Sequence, residues 1–207
     1  MEEEIEVCCG LRVGQRVPDF EMMTYEPATG KFGKFRLSEN MAKGQWTILF
    51  FYPADFTFVC PTELKDVGDK YEDLKKLGAE LVSVSTDTWF VHLAWHRDEK
   101  LLADIKYPMG ADQTGEVSRL FGVLDYSNGL DYRGTFIIDP DGKLQSSEVN
   151  MLNVGRNSDE LLRKLKAFVH VRAHTDEVCP AKWEEGQKTL KPGSGEDMTG
   201  RVYEALK

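Results

Sequence analysis

The chain has 207 residues, which is one domain with an extension when set against a soft prior of about 150 residues per domain. Its 41% hydrophobic and 29% charged residues exclude collagen, coiled coil and disorder, and four cysteines are too few for a disulfide-built scaffold. A net charge of −9, with Glu2, Glu3, Glu4 and Glu6 at the start, argues against nucleic acid or an anionic membrane as partner.

No positive start followed by an apolar core marks a secretory signal, and the longest apolar run, Ile48 to Ala54, is far short of the ~20 residues that span a bilayer. A cytoplasmic protein with reduced thiols is expected. There a cysteine kept for chemistry fits better than one kept for a structural bridge.

From about Arg12 to Val171, short β-rich runs alternate with helical patterns, which predicts an α/β domain over 12–172 around one central sheet. Thr47 to Tyr52 reads as a strand covered on both faces, ended by Pro53. From Pro61, the apolar residues Leu64, Val67, Tyr71 and Leu74 fall at helical intervals up to Gly78. Ala79 to Ser85 reads as a second strand, about Thr88 to Ala103 as a helix, and Thr114 to Phe121 as a shorter helix. Thr135 to Ile138 and Leu144 to Val149 form a predicted hairpin about Asp139-Pro140-Asp141-Gly142. Asn157 to Glu160 offers a capped helix start, with Leu161, Leu162, Leu165, Phe168 and Val169 on one face. Beyond His174 the periodicity fades, and 173–207 reads as an extended arm.

The most informative window is Phe51-Tyr52-Pro53-Ala54-Asp55-Phe56-Thr57-Phe58-Val59-Cys60-Pro61-Thr62-Glu63. A buried strand ends, an aromatic loop follows, and Cys60 directly precedes a proline suited to a first helical turn. At a helix N-terminus, free N–H groups and the macrodipole favour an anion, and a thiolate is a nucleophile. Two readings stay open on residues alone: a reactive cysteine with the Thr57 hydroxyl turned toward its sulfur or toward a bound oxygen, or a small buried hydrophobe beside a loop threonine.

The window resembles the peroxidatic-cysteine motif P-x-x-x-T-x-x-C of peroxiredoxins, matched by Pro53, Thr57 and Cys60. Val82-Ser83-Val84-Ser85-Thr86-Asp87, Arg133 to Asp139, Gly155-Arg156 and Glu177-Val178-Cys179-Pro180-Ala181-Lys182-Trp183 resemble the same family in its order, covering most of the chain. The nearest group is the typical two-cysteine peroxiredoxins of the bacterial alkyl hydroperoxide reductase C type. The resemblance implies a thioredoxin-like α/β fold, with a central mixed sheet flanked by helices and a C-terminal arm. It implies that Cys60 attacks a hydroperoxide and becomes a sulfenic acid, while Thr57 hydrogen-bonds thiolate and peroxide and Pro53 shields the sulfur. Arg133 would hold the thiolate, Glu63 would orient Arg133, and Cys179 of a partner protomer would resolve the sulfenic acid into an intersubunit disulfide. Only protein thiols serve the peroxidase step, with no cofactor and no metal. A flavoprotein disulfide reductase or thioredoxin would then donate electrons, to a homodimer that builds a decamer.

Two family features are missing: a Gly-Gly-Leu-Gly insertion between His96 and Asp112, and a Tyr-Phe pair in Val202 to Lys207. Resistance to overoxidation is therefore expected. Cys8 and Cys9 match no motif and are read as surface thiols, with a redox or metal accessory site as the alternative. His92 with His96, and His170 with His174, have helical i,i+4 spacing but no third ligand, so polar or surface-facing histidines are expected rather than a metal site. Trp89, Phe90 and Trp95 suit core or subunit-interface packing, or else the lining for an organic peroxide. A ring-forming holdase or redox relay on the same fold is the rival function. A thioredoxin-type exchanger lacks its Cys-x-x-Cys, and Rossmann and P-loop motifs are absent.

Overall fold

The computed structural model describes residues 10–193 and 199–205, which leaves Cys8 and Cys9 outside it. Two compact units divide between Ser158 and Asp159, whereas the sequence pattern places the division after residue 172.

The first unit is built on seven strands: β1 (Glu21–Glu26), β2 (Lys31–Arg36), β3 (Trp46–Phe51), β4 (Ala79–Ser85), β5 (Met109–Ala111), and, after a small hairpin of β6 (Leu124–Asp125) and β7 (Leu130–Asp131), β8 (Arg133–Ile138) and β9 (Leu144–Asn150). Their order in the sheet is β2-β1-β5-β4-β3-β8-β9. β3 pairs with β4 and β4 with β5 in parallel, and the other pairs are antiparallel, giving a mixed sheet. Parallel neighbours need a long crossover. Between β3 and β4 it is α2 (Cys60–Asp69) and α3 (Tyr71–Lys76), and between β4 and β5 it includes α4 (Trp89–Asp98). Helices α1 (Leu37–Ala42) and α5 (Glu116–Phe121) complete the unit.

All six residues of β3 are buried, as its β-branched and aromatic run requires of a strand covered on both faces. One continuous core joins Leu49, Phe51, Val82, Val84, Phe121 and Phe136. The predicted hairpin is present, Ile137 facing Ser146 across β8 and β9, with Gly142 in the left-handed region (φ 81°) that its turn demands. The single helix predicted from Pro61 is broken at Lys70, and Gly78 (φ 76°) follows its second half. The 88–103 helix ends at Asp98 and passes into a 3-10 turn over Lys100–Leu102. The hairpin of β1 and β2 and the short β5 give no distinct sequence pattern, because β2 is mostly exposed and β5 has three residues.

The second unit comprises most of α6 (Ser158–Ala173), the arm, and a one-turn helix α7 (Val202–Ala205) where the sequence suggests only extended chain. Within the arm, Val178 and Leu190 form an antiparallel bridge. Glu177 accepts from His170 Nε2 (2.8 Å), Thr189 Oγ1 (2.7 Å) and Lys191 Nζ (3.2 Å), which ties the arm to α6 and holds this carboxyl down at about 2. Among the described residues, no helix is long and apolar enough to cross a membrane.

Candidate active site

β3 ends at Phe51, and the loop from Tyr52 to Val59 delivers Cys60 as the first residue of α2, with Pro61 in the first turn. Cys60 is fully buried. The i,i+3 spacing within Cys-Pro-Thr-Glu puts Cys60 and Glu63 on one helix face. Against that face lies Arg133, the first residue of β8, its Nη1 3.5 Å from Cys60 Sγ and 2.5 Å from Glu63 Oε2. The guanidinium is fixed from its other side, since Nε and Nη2 both donate to the Leu152 carbonyl, at 2.8 and 2.6 Å.

A second arginine completes the cluster. Arg156 donates Nε to Glu63 Oε1 (2.8 Å), its backbone N–H to the same oxygen (2.9 Å), and Nη1 to the Gly134 carbonyl (2.7 Å) and Thr135 Oγ1 (3.0 Å). Its guanidinium also lies 3.4 Å from the centroid of the Phe50 ring. Burial pulls Arg156 below the usual guanidinium range, and the Glu63 carboxylate opposes that pull. One carboxylate thus serves two cations, all three nearly inaccessible to solvent. Such desolvated, charge-assisted contacts hold side chains far more rigidly than surface pairs do. Glu148 is a further negative charge acting on Arg156.

Pro53 is buried, and Thr57 is partly buried with its hydroxyl donating to the Ala54 carbonyl (2.8 Å). That donation leaves the Thr57 oxygen lone pairs available to accept a hydrogen bond from a bound molecule. The loop is pinned from below. Tyr52 Oη donates to Asp55 Oδ1 (2.6 Å), Asp55 Oδ2 is hydrogen-bonded with His92 Nδ1 (2.8 Å), and His92 Nε2 donates to the Gly110 carbonyl (3.1 Å). Burial drives the Tyr52 hydroxyl and the Asp55 carboxyl upward. His92 is therefore a buried, hydrogen-bonded residue rather than a surface-facing one. Of the aromatic trio, Trp95 is in the core, Trp89 is half-buried with its ring against that of Phe90, and Phe90 is exposed.

The structure brings Cys60, Glu63 and Arg133 together, with Pro53 and Thr57 on the loop that leads to Cys60. Sequence reasoning assigns Arg156 no role and misses the Tyr52–Asp55–His92 support. Residues 93 positions apart, such as Glu63 and Arg156, leave no spacing signal.

A family model described as AhpC/TSA matches residues 13–147. The chain belongs to the AhpC/TSA family. Alkyl hydroperoxide reductase C of Staphylococcus saprophyticus is 46% identical over 92% of this chain and 98% of its own length. The Staphylococcus aureus protein of the same name has the same identity and coverage. Among solved structures, that of Enterococcus faecalis AhpC shares 44% identity with a TM-score of 0.77, covering 83% of this chain and all of that one. Reduced 2-Cys peroxiredoxin of Plasmodium vivax shares 32% identity with a TM-score of 0.84, covering 89% and 95%. The AhpC/TSA chain is thus a peroxiredoxin of the alkyl hydroperoxide reductase C group with a thioredoxin-like fold, as its motifs imply.

In the second unit of this peroxiredoxin, Cys179 is a free, half-exposed thiol beside a groove of about 390 Å³ lined by Arg163, Ala167, Phe168, Val178 and Pro180. Burial and the nearby Glu177 push its pKa up, with Arg163 opposing.

Proposed function

We propose that the protein is a hydroperoxide reductase in which Cys60 is the peroxidatic and Cys179 the resolving cysteine. The observation that supports this most is a locked guanidinium 3.5 Å from a fully buried sulfur at the start of a helix. Arg133, Arg156 and Glu63 together carry one excess positive charge, so the cluster sets positive charge beside Sγ and favours the negative charge that develops on the departing oxygen in the transition state.

In the cycle, Cys60 Sγ attacks one peroxide oxygen. The S–O bond forms as the O–O bond breaks, and the other oxygen leaves as water or an alcohol after taking a proton. Cys60 is oxidised to the sulfenic acid while the peroxide is reduced. Thr57 orients the peroxide, Pro53 excludes water, and Glu63 holds Arg133 in line. Removing one preorganised donor of this kind costs about 2.7–4 kcal/mol of barrier in a known acyl-transfer case. The Cys179 sulfur of a partner protomer then displaces hydroxide from the Cys60 sulfur as water, forming an intersubunit disulfide. An external dithiol, from a flavoprotein disulfide reductase or thioredoxin, accepts that oxidation. The raised pKa of Cys179 suits a second-step thiol: it stays protonated, and so unreactive toward peroxide, until a sulfenic acid is presented. A homodimer is required for this chemistry, a ring of five dimers fits the same resemblance, and a reducing cytoplasm supplies the electron donors. The relatives' names favour the peroxidase over the holdase alternative.

One equivalent of peroxide should yield a disulfide-linked dimer on non-reducing gels, with peptide mapping showing Cys60 joined to Cys179. An intrachain bridge, or none, would reject the resolving role. Because the chain lacks the Gly-Gly-Leu-Gly and Tyr-Phe elements, mass spectra after several turnovers at modest peroxide should show Cys60 mainly as thiol or disulfide. Complete sulfinylation under those conditions would contradict this.

A further inference from the structure

Behind the β6–β7 hairpin, three buried groups form a chain that has one proton too few if both acids are ionised. Ser118 Oγ lies 2.8 Å from Asp112 Oδ2 and 3.0 Å from Asp131 Oδ2. A hydroxyl has one proton and donates to one acceptor. Asp112 Oδ2 already takes the Ser118 backbone N–H (2.7 Å), which makes it the acceptor of the hydroxyl as well. Asp131 Oδ2 then faces the lone pairs of Ser118 Oγ, and Asp131 Oδ1 is buried with no hydrogen-bond partner among the described residues. An ionised Asp131 would set negative charge against lone pairs and bury a bare anionic oxygen, whereas a protonated one donates to Ser118 Oγ.

We propose that Asp131 is a positioning residue acting as a neutral acid, whose carboxyl proton binds Ser118 and whose deprotonation loosens the hairpin leading into Arg133. The connection is short. Asp131 pairs with Leu124 across the hairpin, Tyr132 N–H donates to the Val123 carbonyl (2.8 Å), and Arg133 follows directly as the first residue of β8. The charges acting on Asp131 are Asp112, before α5, and Asp87, after β4, both of which disfavour a second anion. On the hairpin itself, Asp125 is half-buried and occupied by Ser127 and Asn128, and Arg133 is engaged by Glu63 and Leu152. In line with the geometry, burial raises the Asp131 carboxyl to about 8.

The sign of the pH effect follows. Between the ordinary aspartate value near 3.8 and about 8, the folded state holds one proton that the unfolded chain has lost. The stabilising contribution is complete at about pH 4 and declines until about pH 8. Asp131→Asn mimics the neutral acid, since its amide donates to Ser118 Oγ and cannot ionise. D131N should match wild type in urea midpoint near pH 4 and exceed it increasingly toward pH 8. At pH 7, the infrared C=O band of protonated carboxylic acids should carry a component in wild type that is missing in D131N. In S118A, which removes the acceptor and keeps the acid, that band should shift. Identical bands in wild type and D131N, or parallel urea profiles, would overturn the neutral acid. These readouts do not depend on catalysis. The link to Arg133 rests on the proposed function and has its own readout: wild-type peroxidase activity should fall above about pH 8 and that of D131N should not. A shared alkaline loss, beside diverging urea profiles, would overturn the positioning role alone.

Discussion

Cys60→Ser is expected to bring peroxide consumption down to the uncatalysed background, a loss on the order of 10⁴-fold or more, as removal of a nucleophile from a preorganised site produces. Serine keeps the volume and the helix start but offers an alcohol in place of a thiolate. The fold should therefore be retained, and circular dichroism with thermal unfolding would check that. A stopped-flow assay with excess reductant measures the loss. The same variant separates the two activities weighed for this fold: a holdase would still suppress aggregation of an unfolded client, while a peroxidase would be silent. Peroxide turnover within tenfold of wild type would move the chemistry away from Cys60.

The largest effect on stability is expected at Glu63. Glu63→Ala leaves Arg133 and Arg156 buried side by side with their shared carboxylate gone, and removing one partner from a buried ion pair costs about 3–5 kcal/mol. That is a large fraction of the ~5–15 kcal/mol by which a domain is stable. Urea unfolding should show the loss, and residual folded protein should also be a poor peroxidase because Arg133 has lost its orienting partner. Asp69→Ala, on the same helix but in an exposed pair with Lys65, supplies the control and should change little. Equal effects at Glu63 and Asp69 would show that the buried cluster is not what holds this end of α2 in place.

What is legible in the sequence and what is not divides along burial and sequence separation. Strands β3 and β4, the β8–β9 hairpin and the start of α2 are legible because each is specified by neighbouring residues: a run of β-branched and aromatic side chains, a Pro-Asp-Gly turn, a proline in a first helical turn. Cys60 is legible as a candidate nucleophile for the same local reason, and the resemblance adds Arg133, Glu63 and Cys179. The i,i+4 histidines show the limit of such signals. His92 and His96 have the spacing of a ligand pair, yet His92 is spent on Asp55 and the Gly110 carbonyl, and His96 Nδ1 lies 3.2 Å from the Tyr25 hydroxyl.

Composition and charge by themselves determined an acidic protein with no disulfide scaffold, and local pattern determined its α/β alternation, four of its strands and the placement of one cysteine at a helix start. Tertiary structure alone decided which charges meet: that one glutamate serves two arginines, one of them 93 residues away in the chain, and that Asp131 points its carboxyl at a serine already committed to another acid. The reason is physical. A strand or helix start is specified by contacts within a few residues, whereas a buried charge is tolerable only beside partners that the folded sheet brings to it, and sequence distance carries no trace of that pairing.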